Sequence, residues 1–430
     1  MPDDLADWAD EQDAAARARA ERRQARLVHT HVDHDHAPDP SPARLWSTVW
    51  GRSLGGAVAL LALVTVVGLL VLWPHGSGSG GSPVNAAPTL GAKVREVSEI
   101  ACPGGAGQTC RQVVVTISSG PDRGTRQTIT LGPADTAPTV GVGDKVRVQK
   151  ATGPASAIAE QYAFTSVDRR GTMAWLAVLF AVLLVVLARW RGLLALAGFA
   201  ISLLLVTTFV VPAVSNGSSG FGVALIGAFA VMFVTVGLTY GLKPASLAAI
   251  LGIAASLLLA GGIGLFAVHQ ARLDGRASDF SQALTQLRGG ELSLQGVVLA
   301  GLVFGALGVL ADQAVTQSSA VMALRRANPA MTVRQVYKEA LAVGRDHLVA
   351  TTHTLVLVYV GATFPLLLVL HAGGVGAVDA LNREDLAEPI IATLVGAIAL
   401  LVSVPLTTAL AALIAAPAPP DALPADGGHH

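Results

Sequence analysis

The sequence predicts a polytopic α-helical membrane protein carrying a small β-barrel-like domain on its outer face, and three observations predict it. Charged residues make up only 13% of the chain against 52% hydrophobic, with a mean hydropathy of +0.57. Apolar runs near the ~20 residues that cross a bilayer recur eight times. They lie at about 54–73, 172–189, 192–213, 221–241, 244–268, 295–322, 348–370 and 388–414. Between the first two runs, about 80 residues alternate β-branched side chains with turn chemistry instead.

Taken in order, residues 1–43 are rich in Ala, Arg, Asp and Pro and hold too few large apolar side chains to fold alone, so a disordered tail with nascent helix over about 10–26 is expected. This tail carries His29, His31, His34 and His36 with Asp33 and Asp35 between them. Imidazoles at that density suit a divalent transition metal, Zn, Ni or Cu, and the plain alternative is a solvated polar tail. Residues 44–74 hold the first span, too far from Met1 for a cleaved signal peptide and read as a retained signal anchor. A flexible Gly/Ser linker over 75–88 leads to the β-domain at 89–170.

Within that domain, strands are expected at 91–100, 111–118, 125–131, 144–150 and 161–167. Gly120-Pro121-Asp122-Arg123-Gly124 and Gly141-Val142-Gly143-Asp144 supply turns. Five short strands so spaced suggest a small barrel of OB-like or SH3-like type. The two cysteines of the chain, Cys102 and Cys110, fall in one inter-strand loop on the oxidising side, which predicts a disulfide.

The membrane domain spans 171–415, and a disordered tail is expected at 416–430. Lys and Arg concentrate in one set of short loops: Arg44 and Arg52, Arg189 and Arg191, Lys243, then Arg325, Arg326, Arg334, Lys338 and Arg345. The positive-inside rule puts these loops and both termini in the cytoplasm of a plasma-membrane protein. Trp50 with Trp73, and Trp175 with Trp190, bracket the first two spans as interfacial anchors. Thr332-Val333-Arg334-Gln335 is a capping box that opens a short amphipathic surface helix. Gly301 with Gly305, and Gly237 with Gly241, have the spacing of close helix packing. Gly261-Gly262-Ile263-Gly264, and Pro212 with Ser215-Asn216-Gly217, are places where a helix could break.

Polar groups interrupt the apolar pattern in the sixth and seventh spans. Asp312, Thr316 and Ser319 recur at i, i+4 and i+7, with Gln313 and Gln317 on the adjoining stripe. Asp312 lies on the order of 20 Å from Arg325 along a straight helix, inside the hydrocarbon. In span seven, Asp346 and His353 share a face. An intramembrane carboxylate is costly, so a polar path for a small cation or proton is the functional reading. Its candidate residues are Asp312, Gln313, Thr316, Gln317, Ser319, Asp346 and His353. An interhelical hydrogen-bond network and, for Asp346, a solvated helix end are the structural ones.

The run Gly308 to Ala320, then Gly344-Arg345-Asp346-His347 and Thr354 to Gly361, with Pro405-Leu406-Thr407-Thr408 in the last span, resembles the YibE/F family of bacterial membrane proteins over about residues 90–414. The His-bearing tail is similar to that of actinobacterial members. The resemblance implies a multispanning membrane protein and carries no assigned chemistry. His353 stands where the family pattern has Asn, so it carries over no histidine-dependent mechanism. Walker, Gly-x-Ser-x-Gly and His-Glu-x-x-His motifs are absent, so no enzyme is expected; an intramembrane hydrolase using Ser318 or Ser319 with His353 is the weak exception. An ion- or proton-linked permease is weighed against a scaffold or sensor that binds a partner through its outer domain. The expected partners are the lipid bilayer, a small cation or proton and further copies of the chain. A net charge of zero gives no reason to expect nucleic acid.

Overall fold

A computed structural model describes residues 49–74, 88–102, 108–150, 162–241, 243–276 and 293–415. Both expected tails, with the His29 to His36 cluster, and most of the Gly/Ser linker lie outside the described residues.

Helix α1 (Val49–Leu72) precedes a five-stranded antiparallel sheet of β1 (Leu90–Ala101), β2 (Thr109–Ile117), β3 (Arg126–Pro133), β4 (Lys145–Lys150) and β5 (Tyr162–Val167), in spatial order β3-β2-β1-β4-β5. Period-two alternation puts Ala92 and Val94, Val113 and Val115, and Val146 and Val148 on one inner face, where they pack with Ile129 and Tyr162. A bulge between Val94 and Glu96 adds curl, and the edge strands β3 and β5 approach each other to leave a half-barrel. The Asp122 carboxylate, in the β2–β3 turn, accepts hydrogen bonds from the Tyr162 hydroxyl and from Lys150 Nζ at 3.1 Å, tying that turn to the far strands. The pair holds Asp122 below the usual carboxylate range and pushes the Tyr162 phenol up to about 12. The expected disulfide joins Cys102 to Cys110 across the β1–β2 loop.

Seven helices among the described residues are long and apolar enough to cross a membrane. One of them is 46 residues long, about 69 Å if straight, against a hydrocarbon core of about 30 Å. It is not straight. Within α2 (Arg170–Leu205), Arg189 has φ 53° and ψ −130°. A Cβ on Gly192 would meet the Leu184 carbonyl oxygen at 2.4 Å, although eight residues of helix would separate the two by about 12 Å. The chain therefore reverses at Arg189, where the sequence places a loop between two spans. Beyond it, a π-helical turn at Val206–Val210 leads into α3 (Val211–Ser215) past Pro212, so this proline is absorbed within the helix. Trp73 stacks on Phe209 with ring centroids 5.7 Å apart, tying the end of α1 to this segment.

The remaining elements are α4 (Gly220–Tyr240), α5 (Pro244–Gln270), α6 (Leu294–Ala327), α7 (Val333–Ala372), α8 (Ala377–Asn382) and α9 (Glu384–Ala415). Helices α5, α6 and α9 pack against one another as the central triad, with α1 and α4 against it and α7 outside. The glycines of 261–264 do not break α5: Gly261 receives Phe221 and Gly264 receives Leu302, because bare backbone admits side chains from neighbouring helices. Gly241 is not a packing residue either. With φ 71° it ends α4, and Gly237 meets no neighbour.

The amphipathic surface helix is also corrected. The Thr332–Gln335 capping box forms, but no proline follows until Pro365, and one helix of 40 residues runs from Val333 through the expected seventh span. Val336 and Ala340 pack with Val321, Met322 and Ala411, so this stretch lies along α6 and α9 instead of docking alone.

Candidate functional site

Helices α6 and α7 form an antiparallel hairpin about the Asn328–Met331 turn, which Arg325 holds by donating to the Pro329 and Met331 carbonyls. Counting outward equal numbers of residues from such a turn pairs Asp312 with His347, and their Oδ2 and Nε2 atoms stand 3.8 Å apart. The Asp312 side chain is 67% exposed and that of His347 42%. Asp312 also sits at the rim of a groove of about 380 Å³ that α2 lines with Phe199 and Ser202, and α4 with Thr235 and Thr239.

The expected pathway residues divide into two places. Asp312, Thr316 and Ser319 lie on the outward stripe of α6, and Asp346 and His353 are exposed on α7. Gln313 and Gln317, one helical step away, are buried at 1% and 2% exposure. His353 is six residues beyond His347, about 9 Å along the helix, and it is His347 that faces Asp312. Counting across the hairpin would have found His347; considering each helix alone does not. The hydroxyls of Thr351, Thr352 and Thr354 turn back onto carbonyls four residues earlier in α7.

The inner stripe faces the central triad. Gln317 Nε2 donates to the Ala340 carbonyl at 2.7 Å, and its amide fills the space a side chain at Gly344 would need. One turn outward along α6, both amide atoms of Gln313 are buried without a hydrogen-bond partner. Buried hydroxyls of Ser256 on α5, Ser318 on α6 and Ser403 and Thr407 on α9 are likewise unpartnered. These groups fall into register. Ala248, Val321 and Ala411 share one apolar cluster, while Ala260, Leu310 and Ala399 share another. Between them, at four-residue steps, lie first Gly252, Gln317 and Thr407, then Ser256, Gln313 and Ser403, all buried. Direct contact fixes α5 against α9 at the first level, where the Thr407 side chain fills the space a Cβ on Gly252 would need, while Gln317 reaches that level from α6 with its amide turned to α7. Because α5 and α9 are antiparallel, one turn outward from that contact sets Ser256 opposite Ser403. The sequence reading passed over Ser256 and Ser403, each a lone hydroxyl in an apolar run.

Among the described residues, no group of three or more His, Cys, Asp or Glu side chains is placed to hold a metal ion. The profile of the family described as YibE/F-like protein matches residues 176–417. No curated protein and no solved structure matches the chain. The matched segment runs from within the second turn of α2 through α9, and the chain belongs to the YibE/F-like family.

Proposed function

We propose that this YibE/F-like protein is an ion- or proton-linked permease of the plasma membrane, with the Asp312–His347 pair at its working groove. The observation that carries the reading is a carboxylate and an imidazole, 3.8 Å apart and both exposed on the outside of the helix bundle, at the end of the uncharged run of α6. In lipid such groups are kept only where water, a partner or a transported ion meets them. The reversal at Arg189 supports eight crossings, and the positive-inside distribution supports a cytoplasmic position for both termini. The outward stripe Asp312, Thr316 and Ser319 and the exposed Asp346 and His353 of α7 then line a lateral path that a second copy of the chain would close. The His29, His31, His34 and His36 cluster would gather a divalent transition metal at the cytoplasmic mouth.

The test is flux through full-length protein in vesicles under an imposed pH, alkali-cation or zinc gradient. Asp312→Asn should lower the flux at least tenfold, and His347→Gln should change its pH profile. Neither should shift the melting temperature appreciably, because an exposed pair contributes less than ~1 kcal/mol. Wild-type vesicles that dissipate none of these gradients would overturn the permease reading. That outcome would favour a scaffold or sensor acting through the outer half-barrel, which has its own closed core.

A further inference from the structure

Buried polar atoms without partners are rare in native proteins, because each forfeits hydration worth roughly 1–3 kcal/mol without compensation. Besides the Ser246 hydroxyl near the start of α5, the central triad gathers six of them: Oε1 and Nε2 of Gln313 and the hydroxyls of Ser256, Ser318, Ser403 and Thr407. They occupy two successive layers sealed by apolar clusters on both sides. The hydroxyl of Thr408, next in sequence to Thr407, is satisfied by the Val404 carbonyl at 2.6 Å, so α9 can absorb a hydroxyl of this kind where one turns back onto the helix. Thr407 instead points at Gly252, the glycine that leaves room for it.

We infer that these two layers form a binding site for a dehydrated monovalent alkali cation of sodium size, ligated by the Ser256, Ser403 and Thr407 hydroxyls and the Gln313 amide oxygen. The chemistry of the donors selects the ion. Neither layer contains an ionisable side chain, so nothing there holds a proton by titration. Without a carboxylate, the dehydration of a divalent hard cation is not offset, and without imidazole or thiolate a transition metal has no preferred ligand. Neutral hydroxyl and amide oxygens in a dry interior suit a single positive charge, and the Gln313 amide nitrogen then donates to a neighbouring hydroxyl. Ser318, level with Gln317, supplies a further oxygen on the same helix. This inference deepens the permease reading by naming its ion and a resting place for it, but it is an equilibrium claim and is measured without flux.

The experiment is binding of radioactive ²²Na⁺ to the purified full-length chain in detergent, at constant ionic strength set with N-methylglucamine. Saturable binding is expected, competed by unlabelled Na⁺. Thr407→Val and Ser403→Ala should each weaken it at least tenfold, Thr407→Ser should retain it, and Thr65→Val should leave it unchanged, because the Thr65 hydroxyl is satisfied by the Leu61 carbonyl. Absence of saturable binding to wild type overturns the inference even if a variant fails to fold, and so does equal binding by Thr407→Val and Ser403→Ala. In that case the layers hold water only, and Thr407→Val raises the melting temperature whether or not Na⁺ is present. Binding without flux would sink the permease and keep this site; flux without binding would do the reverse.

Discussion

Substituting Gly252 by alanine probes the closest approach in the central triad. The new Cβ would lie 2.2 Å from Thr407 Oγ1, 3.0 Å from its Cβ and 3.1 Å from its Cγ2. Rotating the threonine side chain can turn Oγ1 aside, but its Cβ does not move with that rotation and stays 3.0 Å from the new atom. Helices α5 and α9 must therefore move apart by on the order of 1 Å, and overpacking of this kind costs about 1–3 kcal/mol. Alanine returns up to about 1 kcal/mol through helix propensity. With the full return, the net expectation is a loss of about 0–2 kcal/mol. Thr407→Ala removes Oγ1 and Cγ2, so in that background the same substitution should be neutral or stabilising, a coupling of about 1–3 kcal/mol. Gly262→Ala is the control: it lies in the same helix with nothing within 4 Å of the new atom, and it should show the propensity gain alone. The assay is reversible unfolding of the four cycle members and the control in mixed micelles titrated with a denaturing detergent. If Gly252→Ala matches Gly262→Ala, or if the coupling is zero, the register of the polar layers is wrong.

Two further predictions concern the outer half. Tyr162, raised to about 12 from an unfolded value near 10, contributes stability that is complete below pH ~10 and is lost as pH rises through about 12. Asp122, lowered in the fold, contributes stability present above its unfolded pKa near 4 and lost as pH falls below it; Tyr162→Phe should flatten both limbs of the domain's circular-dichroism melting curve against pH. Cys102 and Cys110 close a loop at a sequence separation of 8, for which chain entropy gives about 2.5 kcal/mol. Replacing both by serine should lower the melting temperature of the sheet and leave that of the helices unchanged; a melting point that stays put would show that the staple stabilises nothing.

How much of this was legible in the sequence depends on what lipid does to a pattern. The five strands and the spans stood out because both are announced by contrast: turn residues against β-branched runs, charges against uninterrupted hydrocarbon. Arg189 and Arg191 marked a reversal for the same reason. Which face of a membrane helix points inward carries no such contrast. In water an apolar stripe faces the core, whereas in a bilayer the surface facing lipid is as apolar as the surface facing protein. Helix α6 makes the point, since polar residues occur on both sides of it, and adjacency in sequence joined Asp312 to Gln313 although one is exposed and the other buried. Ser256 and Ser403 were invisible for a different reason. A single hydroxyl in a membrane helix can satisfy itself on the preceding turn, as Thr235, Thr363 and Thr393 do, so one such residue says nothing about a site. Only lateral register between helices, which Gly252 against Thr407 fixes for α5 and α9, brings Ser256 and Ser403 to one level.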